Sequence, residues 1–190
     1  MSQLANATKL EQTVIKRDVV DALIRQPFSD KAVPFKHNLV KNGAIVNAVG
    51  YDMGRNGAAY FDTVTADYHI SDGARRGGNR GRMYRNDGVD IAVDDETQRY
   101  FVTHTEAGEW LQYTLQVVKG GDYNLKLNYN AAKDSGKLSV LVNSSKKADA
   151  MPMPQTNNWD SLEIKNIAMK EGENTLRIYI DLGGVDLRSI

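Results

Sequence analysis

From Asn42-Gly43 onward the chain alternates hydrophobic and polar residues with period two, in short runs that continue almost to its end. Residues 44–51 and 90–93 make two short candidate strands. Trp110, Gln112 and Thr114 alternate with Leu111, Tyr113 and Leu115. Tyr123, Leu125, Leu127 and Tyr129 alternate with polar partners. So do Leu138, Val140 and Val142, then Leu162 and Ile164, then Leu176, Ile178 and Ile180. Gly120-Gly121-Asp122, Ser135-Gly136 and Glu171-Gly172-Glu173 separate the runs with turn-forming residues. Short strands at this spacing, without helices between them, predict an all-β fold: a β-sandwich or jelly roll of two antiparallel sheets.

Ahead of the strands the period changes. Leu10, Val14, Val20, Leu23 and Ile24 recur at helical spacing, and Thr8 and Glu11 have the spacing of a capping box. Residues 8–25 are therefore predicted to be helical, and Pro27, Ser29, Asp30 and Pro34 end the helix. Its apolar positions imply docking, on the sandwich or on a neighbouring domain. The expected organisation is a helical extension over 1–38 and one sandwich domain over 39–190. The chain stops directly behind its last strand, which fits a module cut from a longer protein.

Composition narrows the function. Twenty-four Lys and Arg balance 24 Asp and Glu, so no general electrostatic grip on nucleic acid or an anionic membrane is expected. There are no cysteines, which removes disulfides, thiolate zinc sites and cysteine nucleophiles. No apolar run is long enough for a transmembrane helix. The N-terminus lacks the basic-then-apolar pattern of a signal peptide. Arg75, Arg76, Arg80, Arg82 and Arg85 cluster in a Gly-rich stretch. A solvated loop, partly neutralised by Asp87, Asp90, Asp94, Asp95 and Glu96, is favoured over a nucleic-acid contact, because no aromatic is interleaved before Tyr84. Calcium at the acidic group is disfavoured, since its spacing is not that of a full EF-hand loop.

Four stretches in order resemble carbohydrate-binding module family 6. Residues 106–115, Glu-Ala-Gly-Glu-Trp-Leu-Gln-Tyr-Thr-Leu, are similar to that family's central "GEWLEYTV" strand, and Val102-Thr103-His104-Thr105 to its "VGYT" strand end. Residues 84–91 resemble a "YRxDGVDI" segment, Asn157-Asn158-Trp159 a "GGW" loop, and residues 184–190 the terminal "GFNLDWIEF" strand. The resemblance spans about residues 43–190. It implies a secreted β-sandwich that binds polysaccharide and is usually joined to a glycoside hydrolase.

A pyranose offers a C–H face for a flat aromatic ring and hydroxyls for polar side chains, so a sugar site combines both. Trp159 lies among Asn157, Asn158 and Asp160 in a loop flanked by Pro152 and Pro154. The resemblance makes it one aromatic wall of a loop-end cleft. His104 stands where the family has the second aromatic, and Asp186 where it has a ligand-binding Asn. Asn158 and Tyr60 complete the expected carbohydrate-binding set. Trp110 matches a Trp that in some members lines a second cleft on the sheet face; here packing on the sheet is the favoured reading.

The resemblance also implies a structural calcium held by two Glu of the first strand and an Asp of the last. This chain has Asn47, Val49 and Arg188 at those positions, and an amide with a guanidinium cannot replace carboxylates around calcium. The site is read as lost, with no cofactor expected, and Arg188 with Asn47 as a direct clamp between first and last strands. No G-x-S-x-G, H-E-x-x-H or phosphate loop occurs, and His37, His69 and His104 are far apart. A carboxylate pair such as Glu106 with Glu109 or Asp186 keeps a small polysaccharide lyase or hydrolase as the alternative. A structural protein-interaction module is the third. The expected protein is a monomeric, non-catalytic module, secreted with its parent and covalently linked to a catalytic domain. It takes a β-linked plant or algal polysaccharide or oligosaccharide, at a chain end, with no nucleic-acid or membrane partner.

Overall fold

Alternation along each run becomes two faces of a strand, and the buried faces of two sheets close on each other. The computed structural model of the chain describes residues 14–64, 83–131 and 136–190. Its strands are β1 (Asn38–Val40), β2 (Tyr60–Phe61), β3 (Ile91–Val93), β4 (Tyr100–Val102), β5 (Trp110–Val117) and β6 (Gly121–Asn130). They continue with β7 (Gly136–Val142), β8 (Ser145–Met153), β9 (Asp160–Met169), β10 (Gly172–Leu182) and β11 (Asp186–Ser189). One sheet runs β1-β5-β10-β7-β8, with β2 sharing the outer edge of β5; the other runs β3-β4-β11-β6-β9. β1 pairs with β5 in parallel, whereas the strand pairs within the rest of both sheets are antiparallel. The predicted all-β sandwich is the observed architecture.

Leu111, Tyr113, Leu115, Leu138, Val140, Leu176, Ile178 and Ile180 face inward from the first sheet. Ile91, Leu125, Leu127, Tyr129, Ile164 and Leu187 meet them from the second in one continuous core. The hairpin β7–β8 turns at Asn143-Ser144, both with φ near +55° (50° and 63°), the conformation a two-residue hairpin needs to match strand twist. β8 shows little hydrophobic alternation because it is an edge strand, polar and mostly exposed, carrying Lys146, Lys147 and Pro152.

Residues 44–51 depart from the strand expectation. They form a 3-10 turn over Ala48–Gly50, where three consecutive buried residues leave no alternation for a strand to use. Main-chain pairing of Val46 with Ile190 (3.0 and 2.8 Å) and an Asn47–Ser189 bridge tie this segment to the last strand. Asp52 follows, fully buried, and accepts hydrogen bonds from Thr114 N (2.8 Å) and Thr114 Oγ1 (2.7 Å). Burial pushes its carboxyl above the usual range, while the Thr114 donors oppose the shift.

The N-terminal extension reverses the predicted polarity. Helix α1 (Arg17–Val20) widens into a π turn over Asp21–Arg25 and ends in a 3-10 turn over Gln26–Phe28. The predicted cap Thr8, with Glu11 and Leu10, lies outside the described residues. Asp18 and Asp21 are buried, whereas Val14, Ile15, Val20, Leu23 (73% exposed), Ile24 and Phe28 (89%) face outward. The polar side docks: Asp18 Oδ2 accepts from Asn86 N (2.9 Å), Arg17 donates to Phe35 O (2.6 Å), and Arg25 to Met53 O (3.3 Å).

The physical reason is Arg85. It is not solvated, as its Arg-rich surroundings suggested, but 2% exposed, with Tyr51 and Phe35 stacked on its guanidinium at 3.7 and 4.5 Å. It donates to the Tyr51 and Asp52 carbonyls and pairs with Asp87 at 2.9 Å. A buried cation draws carboxylates toward it, and Asp18 is among the groups that stabilise its charge. The other arginines of the cluster, Arg75, Arg76, Arg80 and Arg82, lie outside the described residues.

Candidate functional site

Strand register gathers the loop-end residues of the second sheet. Leu187 faces Val102 of β4 and Tyr129 of β6; Asp186 faces Asn130, and Tyr129 faces Asp160 of β9. Thr103, Asp186, Asn130 and Trp159 therefore end four neighbouring strands along one rim.

Thr105 laces this rim together. Buried at the end of β4, its Oγ1 donates to Val185 O (2.7 Å) and accepts from Val185 N (3.0 Å), while its carbonyl accepts from Gly184 N (2.9 Å). The approach is so close that a Cβ at Gly183 would sit 2.1 Å from the Thr105 carbonyl oxygen, so only glycine fits there. The lacing holds His104 against the start of β11. His104 is exposed at φ +51°, a left-handed conformation uncommon outside glycine. Asp186 is half-buried beside it. Burial raises the Asp186 carboxyl above its ordinary value, opposed by a hydrogen bond from Thr103 and by the charge of His104.

Trp159 is held from three sides. Its Nε1–H donates to Asp94 Oδ2 (3.1 Å), the Arg188 guanidinium lies over the ring at 3.7 Å, and Phe101 meets it edge-on at 5.2 Å. Asn158 is exposed, its Oδ1 accepting from Trp159 N (2.9 Å). Tyr60 does not join this group: it is a core residue of β2, packed edge-on against Tyr51 at 5.4 Å. A two-residue strand against β5 turns its ring inward, which sequence pattern alone did not reveal. Thr103 and Asn130 are rim residues that sugar-site reasoning had not selected; Asp94, on the β3–β4 turn at the opposite end of β4, joins Phe101 and Arg188 in holding the Trp159 ring over the outer face of the second sheet. Arg188 was visible only as a departure from the family, and Asp94 only as one acid among several.

Arg188 does not clamp Asn47. It is 7% exposed and pairs with Asp94, while Asn47 is exposed and meets the last strand through its backbone. β11 presents Arg188 on its outer face, where Trp159 and Asp94 are the available partners. Arg188 Nε has no hydrogen-bond partner among the described residues. The family's calcium positions thus hold an exposed amide, the buried Val49 and a guanidinium already paired. That set does not fit a hard divalent cation.

Trp110 sits at the start of β5, where Leu111 takes the core side and Trp110 the outer face. Arg177 covers its ring at 3.7 Å and donates to Gln112 Oε1 (2.9 Å), and Tyr179 lies opposite Trp110 across β10. The carboxylate pair considered for hydrolysis is engaged in structure. Glu109 is buried and accepts from Thr63 N (3.1 Å) and Glu106 N (2.8 Å), and the single Thr63 O–H lies within reach of both the Glu106 and Glu109 carboxylates. A depression of about 730 Å³ lies between residues 40–46, the length of β6 and the end of β11.

The profile of the carbohydrate-binding module family 35 matches residues 85–189, more than half of the chain. The chain belongs to carbohydrate-binding module family 35, so the resemblance drawn to family 6 gave the right kind of module without its family number. Among solved structures, a family 6 module from Clostridium stercorarium in complex with cellobiose is similar at 9% identity, covering 81% of this chain and 94% of its own, with a TM-score of 0.53. A native family 35 module from Clostridium thermocellum is similar at 18% identity over 53% of this chain and 82% of its own, TM-score 0.47. A GH26-CBM35 β-(1,4)-mannanase of Podospora anserina is similar at 21% identity, TM-score 0.45; the match covers 53% of this chain and 23% of that enzyme. No curated protein sequence matches this chain.

Proposed function

We propose that residues 39–190 bind a β-linked plant or algal glycan without cleaving it, at a chain end, through the rim formed by Asp186, His104, Asn158 and Trp159. The carrying observation is the half-buried Asp186 carboxylate, set between Thr103 and His104 and aligned through Asn130 with the Trp159 strand end. A carboxylate so placed accepts from two adjacent sugar hydroxyls. In this reading the partly exposed Trp159 stacks on a C–H face of the sugar. Affinity in the range of about 10 µM to 1 mM is expected, since a shallow rim contacts few sugar rings. The module works as a monomer, without calcium at the junction of first and last strands, and directs an attached glycoside hydrolase outside the cell to its substrate. Affinity electrophoresis against xylan, β-glucans and agarose tests the reading: retardation abolished by Asp186→Ala and Trp159→Ala supports it. Sugar release by the isolated chain favours the lyase or hydrolase alternative.

The outer face of the first sheet is a second candidate, because Trp110 and Tyr179 adjoin there with Arg177 and Gln112. Retardation lost with Trp110→Ala and kept with Trp159→Ala selects that face.

A further inference from the structure

Asp94 lies 65 residues before Trp159 and 94 before Arg188, and one carboxylate serves both. Its Oδ1 accepts from Thr97 N (2.8 Å) and Glu96 N (3.2 Å), and its backbone pairs with Gln98 N and Arg99 O. These bonds fix the carboxylate on the tight β3–β4 turn, so Oδ2 points at a position the turn sets. There it takes the Trp159 Nε1–H at 3.1 Å and the Arg188 guanidinium. The indole is thus fixed in its plane by Asp94 and covered on one side by Arg188 at 3.7 Å.

We propose that Asp94 is the positioning residue for Trp159: from the turn at the far end of β4 it fixes the indole over the outer face of the second sheet, directly through Nε1 and indirectly through Arg188, in the orientation in which the ring meets the ligand. The proposal rests on the reading that Trp159 stacks on sugar. An aromatic platform already fixed before binding loses little rotamer freedom on binding, which is where a weak site gains affinity. Without Asp94 the indole can turn about χ1 and χ2, and Arg188 loses its carboxylate. Asp94 touches no sugar in this scheme; it acts through Trp159.

The chain has two tryptophans, so a Trp110→Phe background makes Trp159 the sole indole reporter. In that background, Asp94→Ala is expected to red-shift Trp159 emission, to raise acrylamide quenching about twofold, and to weaken retardation on the glycan gel that holds the parent by about tenfold. Asp94→Asn keeps an acceptor for the indole N–H. It should restore most of the emission and quenching behaviour, and it remains informative if the alanine variant does not fold. Unchanged emission and quenching in both variants overturn the proposal, as does a changed Trp159 signal with unchanged retardation. The underlying reading fails separately, when Trp159→Ala itself leaves retardation intact.

Discussion

The two tryptophans carry the same motif on opposite sheets, each with an arginine guanidinium 3.7 Å above the ring, yet the surroundings differ. Arg188 is buried and answered by a carboxylate that also binds its Trp, so the second sheet's stack is closed on all polar sides but one. Arg177 is half-buried and answered by the neutral amide of Gln112, whose own amide nitrogen reaches the buried Asp52 (3.3 Å). An ion pair withdrawn from water is costly to break, because the surviving charge is left without its partner; removing an arginine bonded to a neutral amide leaves no charge unpaired. The same stack therefore sits in two settings: beside a buried ion pair on the second sheet, and beside a neutral amide on the first.

The largest effect that separates them should appear in glycan binding. Trp159→Ala is expected to cost about 2 kcal/mol, roughly thirtyfold in affinity by titration calorimetry. Trp110→Ala should change it less than threefold, and the reverse order would move the site to the first sheet. Stability comes next. Thr105→Val strands the Val185 N–H and C=O that its hydroxyl satisfies, at about 2 kcal/mol in denaturant unfolding, together with weakened binding as His104 and Asp186 separate. Wild-type stability in that variant would show the lacing to be dispensable.

Arg188→Ala should lower the thermal midpoint by about 6 °C and Arg177→Ala by about 2 °C at most. Equal shifts would erase the distinction between the stacks. Acid gives a subtler contrast. Asp94 is held below the usual carboxylate value of 3.8, first by its bonds to Thr97 and then by Trp159 and Arg188. Its contribution is thus present at neutral pH and lost as pH falls through that lowered value. With Trp110→Phe, Trp159 emission should shift only below about pH 3.8, whereas Trp110 in a Trp159→Phe chain, facing an amide and an arginine, should not follow it. A Trp159 transition near neutrality would contradict this. The smallest change is expected at the rim: His104→Tyr should preserve or strengthen binding, by threefold at most, since a larger ring restores stacking area.

What could be read along the chain follows distance in sequence. Period-two runs marked β5, β6, β7, β9 and β10 because burial on one face imposes alternation wherever a strand has a core side. The polar edge strand β8 and the three-residue β1 and β4 carry no such signature. Amphipathic spacing announced the N-terminal helix but not which side would dock. Asp18 and Asp21 turned inward because Arg85, remote in sequence, is buried beneath them. The order of motifs put Trp159, Asp186 and His104 beside the ends of neighbouring strands. It could not show that Tyr60 points into the core, that Arg188 abandons Asn47 for Asp94, or that each tryptophan has a guanidinium on its face. Local alternation determines where strands form and which residues are core. The partner of each buried charge is chosen across strands, by a register that exists only once both sheets are assembled.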